Sequence, residues 1–391
     1  MKTKLLRYFK HLFLTILVLG ITAVLIGLYM GASLNYADRP GKWNMEKEGP
    51  YVFFENDSVL SVNHIRGNRD KGFYVDKKEY PIGSEIEATS YFSLDATDFN
   101  FSLKTDFKTP KTTYDDGNKI LAISDIESGY KTFRDFLINS KVIDAELNWT
   151  FGNGHLVLVG DFVDRGFSTT QVLWFIYKLE QEAQKKGGMV HFILGNHELK
   201  NLQGNYGAAS DKYLAVSNIL EKQQFELYNS DSFIGRWLSS KNTVERINGN
   251  LFTHGGLHPD LADTNISLEQ LNETVRKNYY KAYYPKATKS TEQMLVSTRI
   301  GPSWYRGYFR ENLTQEEVER GLDKFDAKAV IVGHTIQRKV NRKFQGKVIG
   351  IDVHHPKDYS KSWPKRRSEA LMIEGGKYYR VFDNGGRREM L

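Results

Sequence analysis

The side chains best suited to chemistry are carboxylates, imidazoles and guanidiniums gathered in short glycine-bounded runs. The densest run is Gly160-Asp-Phe-Val-Asp-Arg-Gly166. Aspartate oxygens are hard ligands for a divalent cation, and a guanidinium fork matches the oxygens of a phosphate. Asp161, Asp164 and Arg165 therefore point to a metal and phosphate site, against the plainer reading of a polar turn with a surface salt bridge. Four further clusters follow the same plan: Asp125-Ile-Glu127, Gly195-Asn-His-Glu198, His254-Gly-Gly256 and Gly333-His334. A lone histidine after a strand is usually structural. Five clusters in succession, each delivering ligand-type side chains after an apolar run, are not explained that way.

The apolar runs are the elements that must position these groups. Lys119 to Ile123, His155 to Val159, Met189 to Leu194, Gly249 to Thr253 and Ala329 to Val332 read as buried strands, with a further strand over Lys347 to Ile351. Helices are expected over Tyr130 to Ser140, with Phe133, Phe136 and Leu137 on one face, and after Ser168, with Val172, Leu173, Phe175, Ile176 and Leu179 inward. Ser267 and Gln270 spell a capping box, and Gly375-Gly376 between two strand patterns spells a hairpin. The alternation of strand, loop and helix predicts an α/β domain over 118–391, whose site lies beyond the carboxyl ends of its strands. A mainly helical insertion is expected over about 201–248. The stretch 279–310 is rich in Tyr, Trp and Arg. Trp304, Tyr305, Tyr308 and Phe309 either line a groove or pack in the core.

The motif order D-x-[H/E], G-D-x-x-D-R-G, G-N-H-E, H-G-G, G-H resembles the calcineurin-like metallophosphoesterases, and its spelling is similar to their phosphoprotein phosphatase branch. Gly301-Pro-Ser-Trp-Tyr-Arg-Gly307 further resembles the bacterial Shewanella-like group. The resemblance covers about Lys119 to Asp383. It implies a double β-sandwich flanked by helices, with two metal ions at one edge. By position it implies Asp125, Glu127 and Asp161 for the first ion, and Asp161 (as a bridge), Asn196, His254 and His334 for the second. It implies His197 as general acid oriented by Asp164, with Arg165, Arg306 and Asn196 holding the phosphate. The reaction implied is phosphomonoester hydrolysis through a bridging hydroxide, on a phosphoprotein or on a nucleotide or other small phosphoester. A degenerate binding module on the same fold is the non-enzymatic alternative. Glu127 stands where the family places histidine. As a ligand it would make the first shell all-carboxylate and favour manganese or magnesium over zinc or iron. His258, His354 and His355 are read as loop residues, with His354 a rim candidate.

Outside that region, Leu12 to Met30 is uncharged, apolar and long enough to span a bilayer, and Lys2, Lys4, Arg7 and Lys10 precede it. This predicts a single-pass anchor over 1–34 with the amino terminus in the cytoplasm and the catalytic domain outside it, in the periplasm of a Gram-negative cell. A cleaved signal peptide ending near Gly31-Ala32-Ser33 is the rival. A linker is expected over 35–50 and a small β-rich module over 51–117, with strands near Tyr51 to Glu55, Val59 to Ile65, Gly72 to Val75, Ile86 to Phe92 and Phe99 to Leu103. The module is either a separate sandwich or extra strands on the main domain. The absence of cysteine excludes a disulfide framework. The net charge of +7 is mild and partly local, at Lys2, Lys4, Arg7 and Lys10 and at Lys361, Lys365, Arg366 and Arg367, without the even basic coating that nucleic-acid binding would need.

Overall fold

The computed structural model describes residues 2–36, 45–281 and 289–390. The chain opens with helix α1 (Lys2–Tyr29) and strand β1 (Leu34–Tyr36). Among the described residues α1 is one helix long and apolar enough to cross a membrane, and none of its apolar window is buried. Of the expected linker, 37–44 lie outside the described residues, whereas Met45 and Glu48 are buried. Strands β2 (Tyr51–Phe54), β3 (Val59–Asn68) and β4 (Gly72–Pro81) form an antiparallel sheet, and β5 (Ile86–Phe92) pairs with β6 (Thr97–Leu103).

The main domain then runs through β7 (Thr113–Tyr114), β8 (Ile120–Ile123), α2 (Tyr130–Asn139), β9 (His155–Val159), α3 (Thr169–Lys185), β10 (Met189–Ile193) and α4 (Asn196–Leu202). Helices α5 (Asp211–Ile219) and α6 (Phe233–Ser239) follow. The stretch expected to be helical ends instead in a strand, β11 (Val244–Ile247), which hairpins with β12 (Asn250–Thr253). The later strands are β13 (Ala329–Val332), β14 (Asn341–Lys343), β15 (Val348–Gly350), β16 (Lys361–Trp363), β17 (Glu369–Glu374), β18 (Lys377–Phe382) and β19 (Arg387–Glu389).

Apart from β16, these strands make two six-stranded sheets, in the orders β10-β9-β8-β17-β18-β19 and β14-β15-β13-β12-β11-β7. The period-two alternation of each strand explains how they stack. Ile120, Ala122, Val157 and Val159 from the first sheet meet Phe252, Ile331 and Ile349 from the second in one buried cluster between the sheets. The intervening Leu121, Ile123, Leu156 and Leu158 face outward, into a second cluster with Phe133 and Phe136 of α2 and Phe175 of α3. β8, β9 and β10 run parallel, as do β12, β13 and β15, and His254 Nδ1 just beyond β12 meets Val159 O at the end of β9 at 2.8 Å, so the two sets of carboxyl ends share one edge of the sandwich.

Local signals set several ends. Ser267 Oγ accepts from Gln270 N, completing the expected capping box. Gly375 and Gly376 both take positive φ between β17 and β18, as a two-residue hairpin turn requires. Ser168 does precede α3, but its hydroxyl lies 3.0 Å from Tyr359 Oη instead of capping the helix. The amino-terminal strands pack on α3, and Glu48 fastens them: it accepts from Lys212 Nζ at 2.8 Å, Tyr51 Oη at 2.9 Å and Gln171 Nε2 at 3.1 Å. The segment after α1 is tied to the far end of the chain. β1 pairs antiparallel with β16, and Arg366 donates to Ser33 Oγ at 2.9 Å.

Candidate metal centre

The loops beyond these strand ends are stitched together by backbone hydrogen bonds. Asp125 N donates to Gly160 O and Glu127 N to Asp161 O, each at 3.0 Å, and Gly333 N donates to His254 O at 3.0 Å. Glu198, fully buried at the head of α4, accepts from Asp161 N, Phe162 N and Gly195 N at 2.8–2.9 Å and so joins two of the motifs. The turns are sharp. Asp125, Glu127, Ser128, Asp161, Asp164, Arg165 and His334 all have positive φ, a conformation that costs a non-glycine residue about 1–2 kcal/mol. Such concentrated strain is typical of functional sites. Gly160 shows how tight the turn is: a Cβ there would lie 2.6 Å from both Gly195 Cα and His254 Nδ1.

At the centre, Asp161, His254 and His334 each offer a ligand atom, all within 4.8 Å of one another and all buried. The His254 tautomer is set from behind, since Nδ1 donates to Val159 O at 2.8 Å and leaves Nε2 facing the cluster. His334 Nε2 donates likewise to Trp304 O at 3.0 Å and leaves Nδ1 facing in. The inward amide atom of Asn196 lies 2.9 Å from His334 Nδ1, 3.2 Å from His254 Nε2 and 3.3 Å from Asp161 Oδ2. With Asn196 Nδ2 in that place the amide donates to all three; with Oδ1 there, four ligand atoms converge on one point, His254 Nε2 among them once it has given up its proton. The donor set matches a divalent cation, so these residues fit one.

Beside the cluster, His197 Nδ1 lies 2.7 Å from Asp164 Oδ2, and Asn201 Nδ2 donates to the other Asp164 oxygen at 2.9 Å. His197 Nε2 faces Arg165 Nη2 at 3.0 Å and Asp161 Oδ2 at 3.8 Å. Arg306 donates to His334 O and lies 3.2 Å from His334 Nδ1. A cavity of about 550 Å³ opens onto this edge. It is lined by Arg165, Asn196, His197, Trp304, Arg306 and His334 from the expected set, joined by Lys200, Arg299 and Arg310. Tyr305 and Tyr308 are core residues and Phe309 is half-buried, so of the four aromatics Trp304 alone lines the cavity.

Asp125 and Asp352 are not part of the three-residue cluster, and neither is Glu127. Its carboxylate is bound by Arg165 Nη1 and lies 3.8 Å from Lys357 Nζ. Asp125 and Glu127 both have positive φ, so the alternation of an extended strand does not govern where they point. His355 is buried with Nε2 against Ser124 O, and burial pushes it down to about 4. His258 caps a short turn, and His354 is exposed. Two residues with a bearing on the site lie outside the expected set, Glu198 and Asp352. Glu198 was visible as the last letter of the G-N-H-E motif. Asp352 was signalled by the apolar run before it, a sixth strand end on the same edge.

Charge in the site is unevenly held. Burial works to raise the Asp161 carboxyl, but the His254 and His197 imidazoles outweigh it and hold it below the ordinary carboxylate range. Burial works to lower His254, yet Asp161 and Asp125 raise it to about 9. Burial, followed by Asp352, raises Asp125, and burial, followed by Glu127 and Asp161, raises Asp352. In the metal-free protein His254 therefore keeps its proton at neutral pH, a contribution to stability that is lost as pH rises through about 9. A cation has to displace that proton. Manganese affinity should accordingly rise with pH, by about tenfold per unit between pH 7 and 9. Titration calorimetry at pH 7, 8 and 9 checks this, and a flat profile would show that the displaced proton is not on His254.

A family profile described as calcineurin-like phosphoesterase matches residues 118–338. The chain belongs to the calcineurin-like phosphoesterases. Within that family, this phosphoesterase is similar to Shewanella-like protein phosphatase 1 of Plasmodium berghei, with 31% identity over 226 residues, or 56% of this chain and 61% of that one. It thus spans less than two thirds of that relative. It is 26% identical to Shewanella-like protein phosphatase 2 of Arabidopsis thaliana over 72% of this chain and 82% of that one. Among solved structures it is similar to the cold-active protein-tyrosine phosphatase of a psychrophilic Shewanella species, with a TM-score of 0.75 and 31% identity over 88% of this chain and 100% of that one.

Proposed function

We infer that this phosphoesterase is a phosphoprotein phosphatase that acts on phosphotyrosyl side chains, tethered to a membrane by α1 with its site outside the cytoplasm. The observation that carries the reading is the convergence of ligand atoms from Asp161, Asn196, His254 and His334 next to the His197–Asp164 pair, on the wall of a cation-lined cavity. Asp161, Asn196, His254 and His334 would hold one divalent ion, and Asp125 with Asp161 would hold a second. When bound, such ions neutralise the phosphoryl oxygens and supply a nucleophile at neutral pH.

The remaining work falls to the chain's own side chains. Arg165 and Arg306 bind the phosphate, with guanidinium forks that match its oxygens. Asp164 accepts from His197 Nδ1 and fixes the ring with Nε2 toward Arg165; with Arg165 turned to the phosphate, Nε2 is the atom that passes a proton to the leaving oxygen. Trp304, half-buried with Lys200 Nζ 5.3 Å over its ring, gives the cavity one aromatic wall, which suits a tyrosyl ring. The similarity to the Shewanella tyrosine phosphatase over nearly all of its length supports that choice of substrate. The cations Lys200, Arg299 and Arg310 around the same cavity favour a second reading, a hydrolase of nucleotides or other polyphosphates.

One preparation separates these readings. Carbonate-washed membranes carrying the full-length chain should retain the activity, with kcat/KM higher for a phosphotyrosyl peptide than for a phosphoseryl peptide or ATP. Activity released to the supernatant would count against the anchor. Equal or faster turnover of ATP would favour the polyphosphate reading.

A further inference from the structure

We propose that Asp352, and not Glu127, is the third protein carboxylate of the first metal ion's site. The proposal rests on the two-metal reading above and names a ligand that the motif pattern does not contain.

Its position follows from the register of sheet two. β13 and β15 run parallel with Val332 opposite Gly350. Two residues beyond that pair, the chains reach His334 and Asp352, so both leave the same sheet edge side by side. The segment carrying Asp352 is fixed on both flanks. Ile351 N donates to Val332 O at 2.8 Å, and Gln337 N donates to the Asp352 carbonyl at 2.8 Å, which binds it to the loop of His334. His355 Nε2 contacts Ser124 O at 3.0 Å, which binds it to the residue before Asp125. Asp125 itself accepts from His334 N at 3.1 Å, so Asp125, His334 and Asp352 sit on three mutually bonded loops.

The side chain also leaves the sheet on the side of Arg306. Ile351 and Val353 lie in the cluster between the sheets. In extended backbone the residue between them projects the opposite way. That side of β15 is where Gly350 meets Phe309, three residues beyond Arg306: a Cβ on Gly350 would lie 2.7 Å from Phe309 Cζ. Asp352 is 3% exposed, and its carboxylate makes no hydrogen bond or ion pair among the described residues. Arg306 and Arg165 act on it only at a distance, so it is a carboxylate taken out of water without a contact partner, which is costly, and a cation suits one placed beside other carboxylates.

Glu127 is in the opposite position. It already holds Arg165 and lies near Lys357, so its charge is answered by side chains. Its role is to position Arg165 for the phosphate. An ion held by Asp125, Asp161 and Asp352 has only hard oxygen donors from the protein, which suits manganese or magnesium.

The test uses the full-length chain in detergent, stripped of metal and titrated with manganese, with stoichiometry read by elemental analysis and affinity by calorimetry. The wild type should bind two ions. Asp352→Asn should bind one as before and the other at least about tenfold more weakly, since even outer-shell losses cost that much. Glu127→Ala should bind both normally and raise KM for a phosphopeptide. Asp352→Asn should melt no lower than wild type when metal-free and lower when metal-loaded, a pattern that a purely structural role would not give. Should Asp352→Asn not fold, Asp352→Glu serves instead and should hold two ions with the second weakened. Two tight ions in either Asp352 variant, or loss of one ion in Glu127→Ala, would overturn the assignment while leaving the two-metal reading intact. A wild type that binds fewer than two ions would overturn both.

Discussion

Asp161→Asn should reduce phosphatase activity by more than about 10³-fold and strip the protein of metal. Loss of a mere outer-shell partner costs a metal site about 10–100-fold, and Asp161 stands inside the shell. Its Oδ2 lies 3.2 Å from His254 Nε2, within the converging set, and its Oδ1 accepts from His197 N at 3.0 Å. An amide keeps the shape and one acceptor but removes the charge. The fold should survive, because Glu198 holds the backbone N–H groups of Asp161 and Phe162 whatever the side chain at 161 carries. The variant should therefore show an unchanged far-ultraviolet spectrum, with manganese content reduced on elemental analysis. It should also release His254 from its raised pKa, since Asp161 is the leading cause that raises it. Normal turnover in a purified Asp161→Asn protein would remove the basis for a metal-dependent reaction at this edge.

His197→Ala should separate the proton from the metals. His197 contacts Asp164, Arg165 and Asp161 but is not part of the converging ligand set. Metal content should stay at the wild-type level, and kcat for a phosphotyrosyl or alkyl phosphate should fall by about 10²–10⁴-fold, the usual range for a general acid. The loss should shrink for nitrophenyl phosphate, whose leaving group departs with little help from a proton. The comparison is made as kcat at saturating substrate, so that a change in binding is not mistaken for a change in chemistry. An equal loss across leaving groups would mean that His197 serves chiefly to hold Arg165.

The sequence by itself determined the chemistry on offer and the scaffold that presents it. Apolar runs of strand length, each closed by Asp, Asn, His or Gly, place the motif residues at strand ends, and β8, β9, β10, β12 and β13 start and stop within a residue or two of the expected bounds. Those signals are local: burial of alternate residues, a capping box at Ser267, glycines at 375 and 376. The motif order was enough to reach the family. The aromatic stretch was legible only as two alternatives, and packing decided them residue by residue, sending Tyr305 and Tyr308 inward and Trp304 to the cavity.

Only the tertiary structure decided which side chains meet. Glu127 lies two positions from Asp125, which in a strand would aim both the same way, but the left-handed turns at 125, 127 and 128 break that alternation and Glu127 reaches Arg165 instead. β11 looked helical in a polar stretch because its partners, β7 and β12, are set by pairing across the sheet and leave no local mark. Asp352 gave one carboxylate after one more apolar run. It became a neighbour of Asp125, more than two hundred residues away, only when β15 paired beside β13. Periodicity, caps and turns act over a few residues and can be read along the chain. Which strand lies beside which, and what a strained turn does to the direction of a side chain, are fixed by contacts between distant segments.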